Sequence, residues 1–67
     1  MTVARVTEVI ASSKVGWEDA ALQALSRAAK TLRGITGIEI LRQNAKVENG
    51  RIVEYRVDCR ITFILEK

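Results

Sequence analysis

Hydrophobic and polar residues alternate strictly over the last third of the chain. From position 53 to 65 every odd residue is apolar, and from 54 to 62 every even residue is polar. This alternation is typical of a β-strand with one face in a core and the other outside it. Because a strand repeats every two residues, a slip by one would bury Arg and Asp side chains. The pattern therefore predicts a long third strand with a firmly set register.

The first half of the chain predicts a strand followed by a helix. Residues 2–10 are rich in β-branched side chains, which favours a strand. A helix is expected to begin near Trp17, with Glu18 and Asp19 in its first turn. Lys30 and Arg33 in the last turn and Gly34 after it predict the helix end. The apolar stripe expected to face the sheet is Ala21, Leu25, Ala28 and Leu32.

A second strand and a tight turn lead into the third strand. Residues 37–47 begin with Ile38 and Ile40 on one face and Glu39 on the other, and then lose the alternation, which predicts a bulge near Gln43-Asn44. Asn49-Gly50 supplies the residue types that a type I′ turn requires at its two centres. The sequence therefore predicts a hairpin between strands two and three.

The predicted order is β-α-β-β, an α+β fold with one helix packed on a three-stranded antiparallel sheet. With a right-handed crossover from strand one to strand two, and with strand three between them, the sheet is antiparallel and has one face on the helix. A strand rises ~3.3 Å per residue and a helix only ~1.5 Å, so one ordinary helix cannot cover strands of about ten or more residues. We expect other copies of the chain to bury the excess.

Composition makes self-association the main route to stability. The 67 residues are expected to form one domain, 1–67, with one Cys and no His. Neither an internal disulfide nor a structural zinc site is then available to a domain of this size. The absence of His and of a nucleophile with a base also leads us to expect no enzymatic activity.

Charge and hydropathy indicate where the protein works. Its 11 basic and 8 acidic residues are interspersed, giving a net charge of +3 without the clustered basic patch of a nucleic-acid binder. No run is apolar enough to span a membrane, and the start lacks the features of a secretory signal. We expect a cytoplasmic protein that binds neither nucleic acid nor membranes.

Several short motifs, taken together and in order, point to a family. They are residues 12–13 (SS), 17–20 (WEDA), 29–33 (AKTLR), Gln43, 47–52 (VENGRI), 55–57 (YRV) and 63–66 (FILE). At this spacing the chain resembles the dodecins, small bacterial and archaeal β-α-β-β proteins that assemble into hollow spheres of twelve subunits. Many dodecins bind flavins between subunits. The resemblance implies a hollow homododecamer that binds, stores or sequesters a small aromatic ligand.

Two departures from the dodecin pattern bear on the ligand. In flavin-binding dodecins a Trp at the start of the second strand stacks on the flavin, and a Gln on the third strand hydrogen-bonds it; these positions are Gly37 and Arg56 here. Stacking contributes ~0.5–1.5 kcal/mol beyond burial, so we expect weak binding of riboflavin, FMN or FAD. The resemblance places the ligand-binding residues at Gly37, Glu39, Leu41, Gln43, Arg56 and Asp58.

Each candidate residue also has a purely structural interpretation. Arg56, Asp58 and Arg60 fit a ladder of ion pairs between subunits as well as a ligand lining, and we favour the ladder. Cys59 shares the parity of the core residues and is expected to be a small buried hydrophobe. Trp17 is expected to be a core or interface anchor. The alternative function is accordingly a flavin-free structural shell that holds ions or another small molecule.

Overall fold

The central feature of the fold is a strand that pairs along its whole length on both sides. In the computed structural model, which describes residues 2–65, the elements are β1 (Val3–Ser13), α1 (Trp17–Ala29), β2 (Ile35–Glu48) and β3 (Arg51–Leu65). The sheet order is β1-β3-β2, and both pairs are antiparallel. The predicted order and the central position of β3 are confirmed. Glu66, the last residue of the 63–66 motif, lies outside the described residues.

β1 extends further than the sequence predicts. It ends at Ser13 instead of residue 10, because Ala11, Ser12 and Ser13 pair with the first half of β3. Small polar residues have little intrinsic preference for strands, but pairing with a long central partner overrides that preference. Ser13 also donates to Asp19 Oδ2 at 2.6 Å, and this bond joins the end of β1 to the first turn of α1.

The hairpin between β2 and β3 has the predicted turn. Asn49 and Gly50 have φ values of 53° and 74°, as a type I′ turn requires at its two central residues. Glu48 and Arg51 pair directly on either side of it. The turn therefore brings the two longest strands together without an intervening loop.

The predicted bulge position in β2 is wrong. Gln43 and Asn44 pair regularly with Val57 and Arg56, and the register shifts instead occur between Ile35 and Gly37, Ile40 and Arg42, and Lys46 and Val47. An extra residue in one strand reverses the side on which the following residues point. β2 also begins at Ile35, two residues before the predicted start.

The helix buries a stripe that shares only Ala28 with the predicted one. Its buried residues are Ala20, Ala24 and Ala28, whereas Ala21, Leu25 and Leu32 are only half-buried. Ala20 and Ala24 pack on Val57 and Cys59 of β3. Methyl side chains lie where the helix approaches the sheet most closely, and the larger leucines lie beside this line. The core is therefore thin and built from small residues.

The helix also ends earlier than predicted. Ala29 is its last residue, and the amides of Thr31 and Leu32 bond back to Ala28 O. Gly34 does not cap the helix. It has a φ of 76° and accepts a hydrogen bond from the Ile64 amide at 2.9 Å, so it allows a close backbone approach to the end of β3.

The sheet extends far beyond the helix. The molecule measures 52 × 19 × 12 Å, while a helix of 13 residues is only about 20 Å long. Its radius of gyration is 13.8 Å, compared with about 11 Å for a compact domain of this length. Its accessible surface is 5252 Å², about a quarter more than a compact monomer of this mass exposes. Apolar side chains remain exposed on β1 and β2, namely Val3, Val6, Ile10 and Val47.

Replacing Gly34 by alanine is expected to lower the free energy of unfolding by about 1–2 kcal/mol, because left-handed backbone is unfavourable for residues with a Cβ. The added Cβ would also lie 3.0 Å from Ile64 O. Urea denaturation at a fixed protein concentration measures the change. Gly37→Ala is the matched control, since its Cβ would meet nothing nearer than Thr62 Cβ at 4.0 Å. Equal losses in the two variants would contradict the assignment.

Candidate functional site

The sheet face turned away from α1, here called the outer face, carries a ladder of ion pairs. The outer face consists of the even-numbered β3 residues from Glu54 to Thr62 and of the β1 and β2 residues opposite them. Its ion pairs include Glu39–Arg60 at 3.6 Å, Arg42–Asp58 at 3.4 Å and Glu54–Arg56 at 3.5 Å. Exposed pairs of this kind contribute about 0–1 kcal/mol each, so their main effect is to arrange charge on the surface.

Four of the six predicted ligand-binding residues lie on the outer face. Gly37 pairs with Thr62 and Glu39 with Arg60, while Arg56 and Asp58 belong to β3 itself. Gly37 and Arg56 are not close together, however. Thr62 and Arg56 are separated by six positions of one strand, which corresponds to about 20 Å. A pocket that used both Gly37 and Arg56 would need them from different copies of the chain.

The other two predicted residues, Leu41 and Gln43, are not beside Gly37 and Glu39 on that face. Gln43 pairs with the buried core residue Val57 and so belongs to the helix side of the sheet. Leu41 is the extra residue of the bulge after Ile40 and pairs with none of the β3 residues Arg51–Leu65. The bulge explains the error, since residues after it point to the opposite side from the one that simple alternation predicts.

All three aromatic side chains lie on the helix side. The rings of Trp17 and Tyr55 meet edge to face, with centroids 4.9 Å apart and planes at 80°. Trp17 Nε1 donates to Asn44 O at 2.9 Å, and Phe63 has the same parity as the buried Ile61. Within residues 2–65 the outer face therefore offers no ring on which a flavin could stack. The residues present do not fit a stacked flavin.

Two shallow concavities adjoin the predicted positions. One, of about 300 Å³, is lined by Asn44, Ala45, Lys46, Glu54 and Arg56. The other, of about 470 Å³, is mainly apolar and lies between the end of α1 and β2, where its lining is Leu25, Ala29, Ile35, Thr36, Gly37 and Ile38. Each is open on one side, so a ligand held there would need a second surface to enclose it.

Asp58 is the most buried charged residue of the outer face, with 7% of its surface exposed. It is flanked in the register by Ile10 and Arg42, and Glu8 lies diagonally across from it on the same face. This proximity and the negative charge of Asp58 raise the pKa of Glu8. Sequence reasoning missed Glu8 and Arg42, because only the register brings them to Asp58.

Similarity to known proteins decides the family. The family model described as Dodecin matches residues 3–66, nearly the whole chain. The chain belongs to the dodecin family. A relative named calcium dodecin, from Mycobacterium tuberculosis, is 29% identical over 63 residues, which cover 94% of this chain and 89% of the relative. The resemblance inferred from the short motifs is thereby confirmed.

Solved dodecin structures have the same fold. A variant of the Thermus thermophilus dodecin with one arginine replaced by alanine superimposes with a TM-score of 0.95 at 31% identity, covering all of both chains. The dodecin of Streptomyces coelicolor gives 0.92 at 32% identity, covering 98% of this chain and 94% of the other. The M. tuberculosis calcium dodecin, described as calcium chelating with a novel calcium-binding site, gives 0.82 at 29% identity, covering 96% and 91%.

Residues 2–65 contain neither a cluster of metal-ligating side chains nor a helix that could span a membrane. Over residues 2–65, no group of three or more His, Cys, Asp or Glu side chains is arranged to hold a metal ion. In the same part of the chain, no helix has the length and apolar character needed to cross a membrane.

We expect the Cys59 thiol to resist a water-soluble disulfide reagent in the folded dodecin and to react once urea unfolds it. Cys59 is fully buried and its Sγ donates to Val9 O at 3.4 Å. Burial raises the pKa of the thiol, and the charge of Asp58 raises it further, so little reactive thiolate forms at neutral pH. Ser26→Cys, at an exposed position of α1, supplies an exposed thiol as a positive control. Rapid labelling of Cys59 in the folded protein would contradict this.

Proposed function

We propose that this dodecin assembles into a shell of twelve identical subunits and holds a small ligand between them. The observation that carries the proposal is the outer face, a charged and partly apolar surface along a 52 Å sheet that the subunit's own helix leaves uncovered. Burial of such a surface by identical neighbours supplies the apolar area that a thin core lacks.

The chemistry of the outer face suits contacts between copies. Val6 and Ile10 are exposed there to 56% and 62%, and burying them would contribute roughly 1.5–3 kcal/mol each. The charged residues alternate in sign, so a symmetric contact can exchange partners between subunits without leaving a charge unpaired. The ladder of ion pairs is then a means of setting the orientation of neighbouring copies.

A flavin is the first ligand we propose, bound weakly and in a way that differs from stacking on a tryptophan. Gly37 and Arg56 lie about 20 Å apart within one subunit, so different copies would contribute them to one pocket. The Arg56 guanidinium is planar and can lie on an aromatic ring or donate to flavin carbonyl oxygens. It pairs with Glu54 at 3.5 Å in the subunit and would exchange that partner for the ligand.

A second candidate is a flavin-free shell that binds cations. Two observations favour it: the outer face has no aromatic ring within residues 2–65, and a relative is named calcium dodecin. Carboxylate oxygens are the ligands that calcium and magnesium prefer. In this function the shell would store or buffer an ion instead of an aromatic molecule.

Light scattering coupled to size-exclusion chromatography tests the assembly. We expect a mass of about 90 kDa, twelve times the 7.5 kDa subunit, because the outer face must be covered for the thin core to persist. Ile10→Glu places a charge on the exposed apolar part of that face and is expected to shift the protein toward smaller species. Leu22→Glu, on an exposed helix position, is the control. A folded wild-type monomer at micromolar concentration would refute the shell.

Fluorescence titration with riboflavin and FMN tests the ligand. Wild-type protein is expected to quench flavin emission only weakly, and the double variant Gly37→Trp with Arg56→Gln should bind at least about tenfold more tightly, because it regains a stacking ring and an amide. Gly37→Leu with Arg56→Gln is the control, which fills the space without an aromatic ring. Absence of any gain would place the ligand elsewhere. Complete absence of quenching by the wild-type protein would favour the cation-binding shell.

A further inference from the structure

The Asp58 side chain contains a buried oxygen without a partner. The side chain is 9% exposed, and its Oδ2 lies 3.4 Å from Arg42 Nη2. Its other oxygen, Oδ1, is buried and has no hydrogen-bond donor within residues 2–65. A buried acceptor left unpaired is unfavourable, and more so when it carries charge.

A second carboxyl lies beside this one. Glu8 of β1 is two residues from Ile10, the register partner of Asp58, so it lies diagonally across from Asp58 on the outer face. Arg60 is directly opposite Glu8 in the register, but its guanidinium pairs with Glu39 at 3.6 Å. None of the ion pairs between residues 2–65 involves Glu8. A cation between these two carboxyl groups would pair the buried Asp58 oxygen and remove the repulsion between their charges.

We propose that Glu8 and Asp58 form a binding site for a hard divalent cation of the calcium type. Both ligands are carboxylate oxygens, which such cations prefer, and they come from adjacent strands whose backbones hold them in place. The unpaired Asp58 Oδ1 supplies a ligand that no protein donor within residues 2–65 competes for. This inference rests on the cation-binding candidate function and names the residues that would carry it.

The surrounding charges allow the cation to enter. Arg42 is the one guanidinium between positions 2 and 65 that pairs with Asp58, and its side chain is 72% exposed, so it can turn toward solvent when a cation arrives. Because Arg42 pairs with Asp58 Oδ2, the other oxygen, Asp58 Oδ1, is available to a cation. The site lies within a single β1–β3 pair, so its two carboxylates are present in every subunit whether or not the shell closes. Water or a neighbouring copy completes the coordination.

Equilibrium dialysis of chelator-treated full-length protein against calcium chloride, at constant ionic strength, tests the site. The wild type is expected to bind about one calcium per subunit, and Glu8→Gln to bind at least about tenfold more weakly, because the charge of the ligand set sets the affinity. Glu48→Gln removes a carboxylate of β2 that pairs with Lys46 near the turn, far from Asp58 along the strand, and its calcium affinity should stay within about twofold of the wild type.

Thermal unfolding supplies an independent measurement on the same variants. The amide that Glu8→Gln introduces can donate to Asp58 Oδ1, so this variant should fold and should lose the rise in Tm that calcium gives the wild type. Calcium binding that is equal in wild type and Glu8→Gln would overturn the Glu8–Asp58 site while leaving the cation-binding function intact. No calcium binding by the wild type would refute both.

Discussion

The structure depends on the pairing of β3 with a strand on each side along nearly its whole length. This arrangement fixes which β3 residues face the helix and which form the outer face, because both neighbours share its pleat. Val57, Cys59 and Ile61 are fully buried on one side, and the charged residues between them lie on the other. The core and the ion-pair ladder are therefore two faces of one strand, and a change in register would destroy both.

The local signals in the sequence were sufficient for the elements and the turn, but not for the relations between strands. Alternation placed β3 correctly, and Asn49-Gly50 gave the turn its type. The exact position of the bulge after Ile40 does not follow from the sequence, because a bulge depends on how two strands pair. The alternation in β2 alone shows only that the strand is irregular. This bulge explains why Gln43, which shares the odd parity of Gly37 and Glu39, lies on the helix side.

Side-chain size explains the remaining differences. Hydrophobicity alone favours leucines as the buried helix residues. Where α1 lies closest to β3, however, there is room only for the methyl groups of Ala20 and Ala24. Glu8 and Asp58 are far apart in the sequence, and nothing local indicates that they meet. The proposed ligand sites were the least predictable part, because they depend on the register between strands. The flavin site depends in addition on contacts between copies of the chain.

The edge-to-face contact of Trp17 with Tyr55 has a practical consequence. This indole is the chain's sole tryptophan, begins α1, touches a β3 ring and bonds to the backbone of β2 through Asn44 O. One chromophore thus joins three elements, and Asn44 is itself the register partner of Arg56. The emission of this residue is a built-in optical probe that reports, without any added label, whether helix and hairpin are docked.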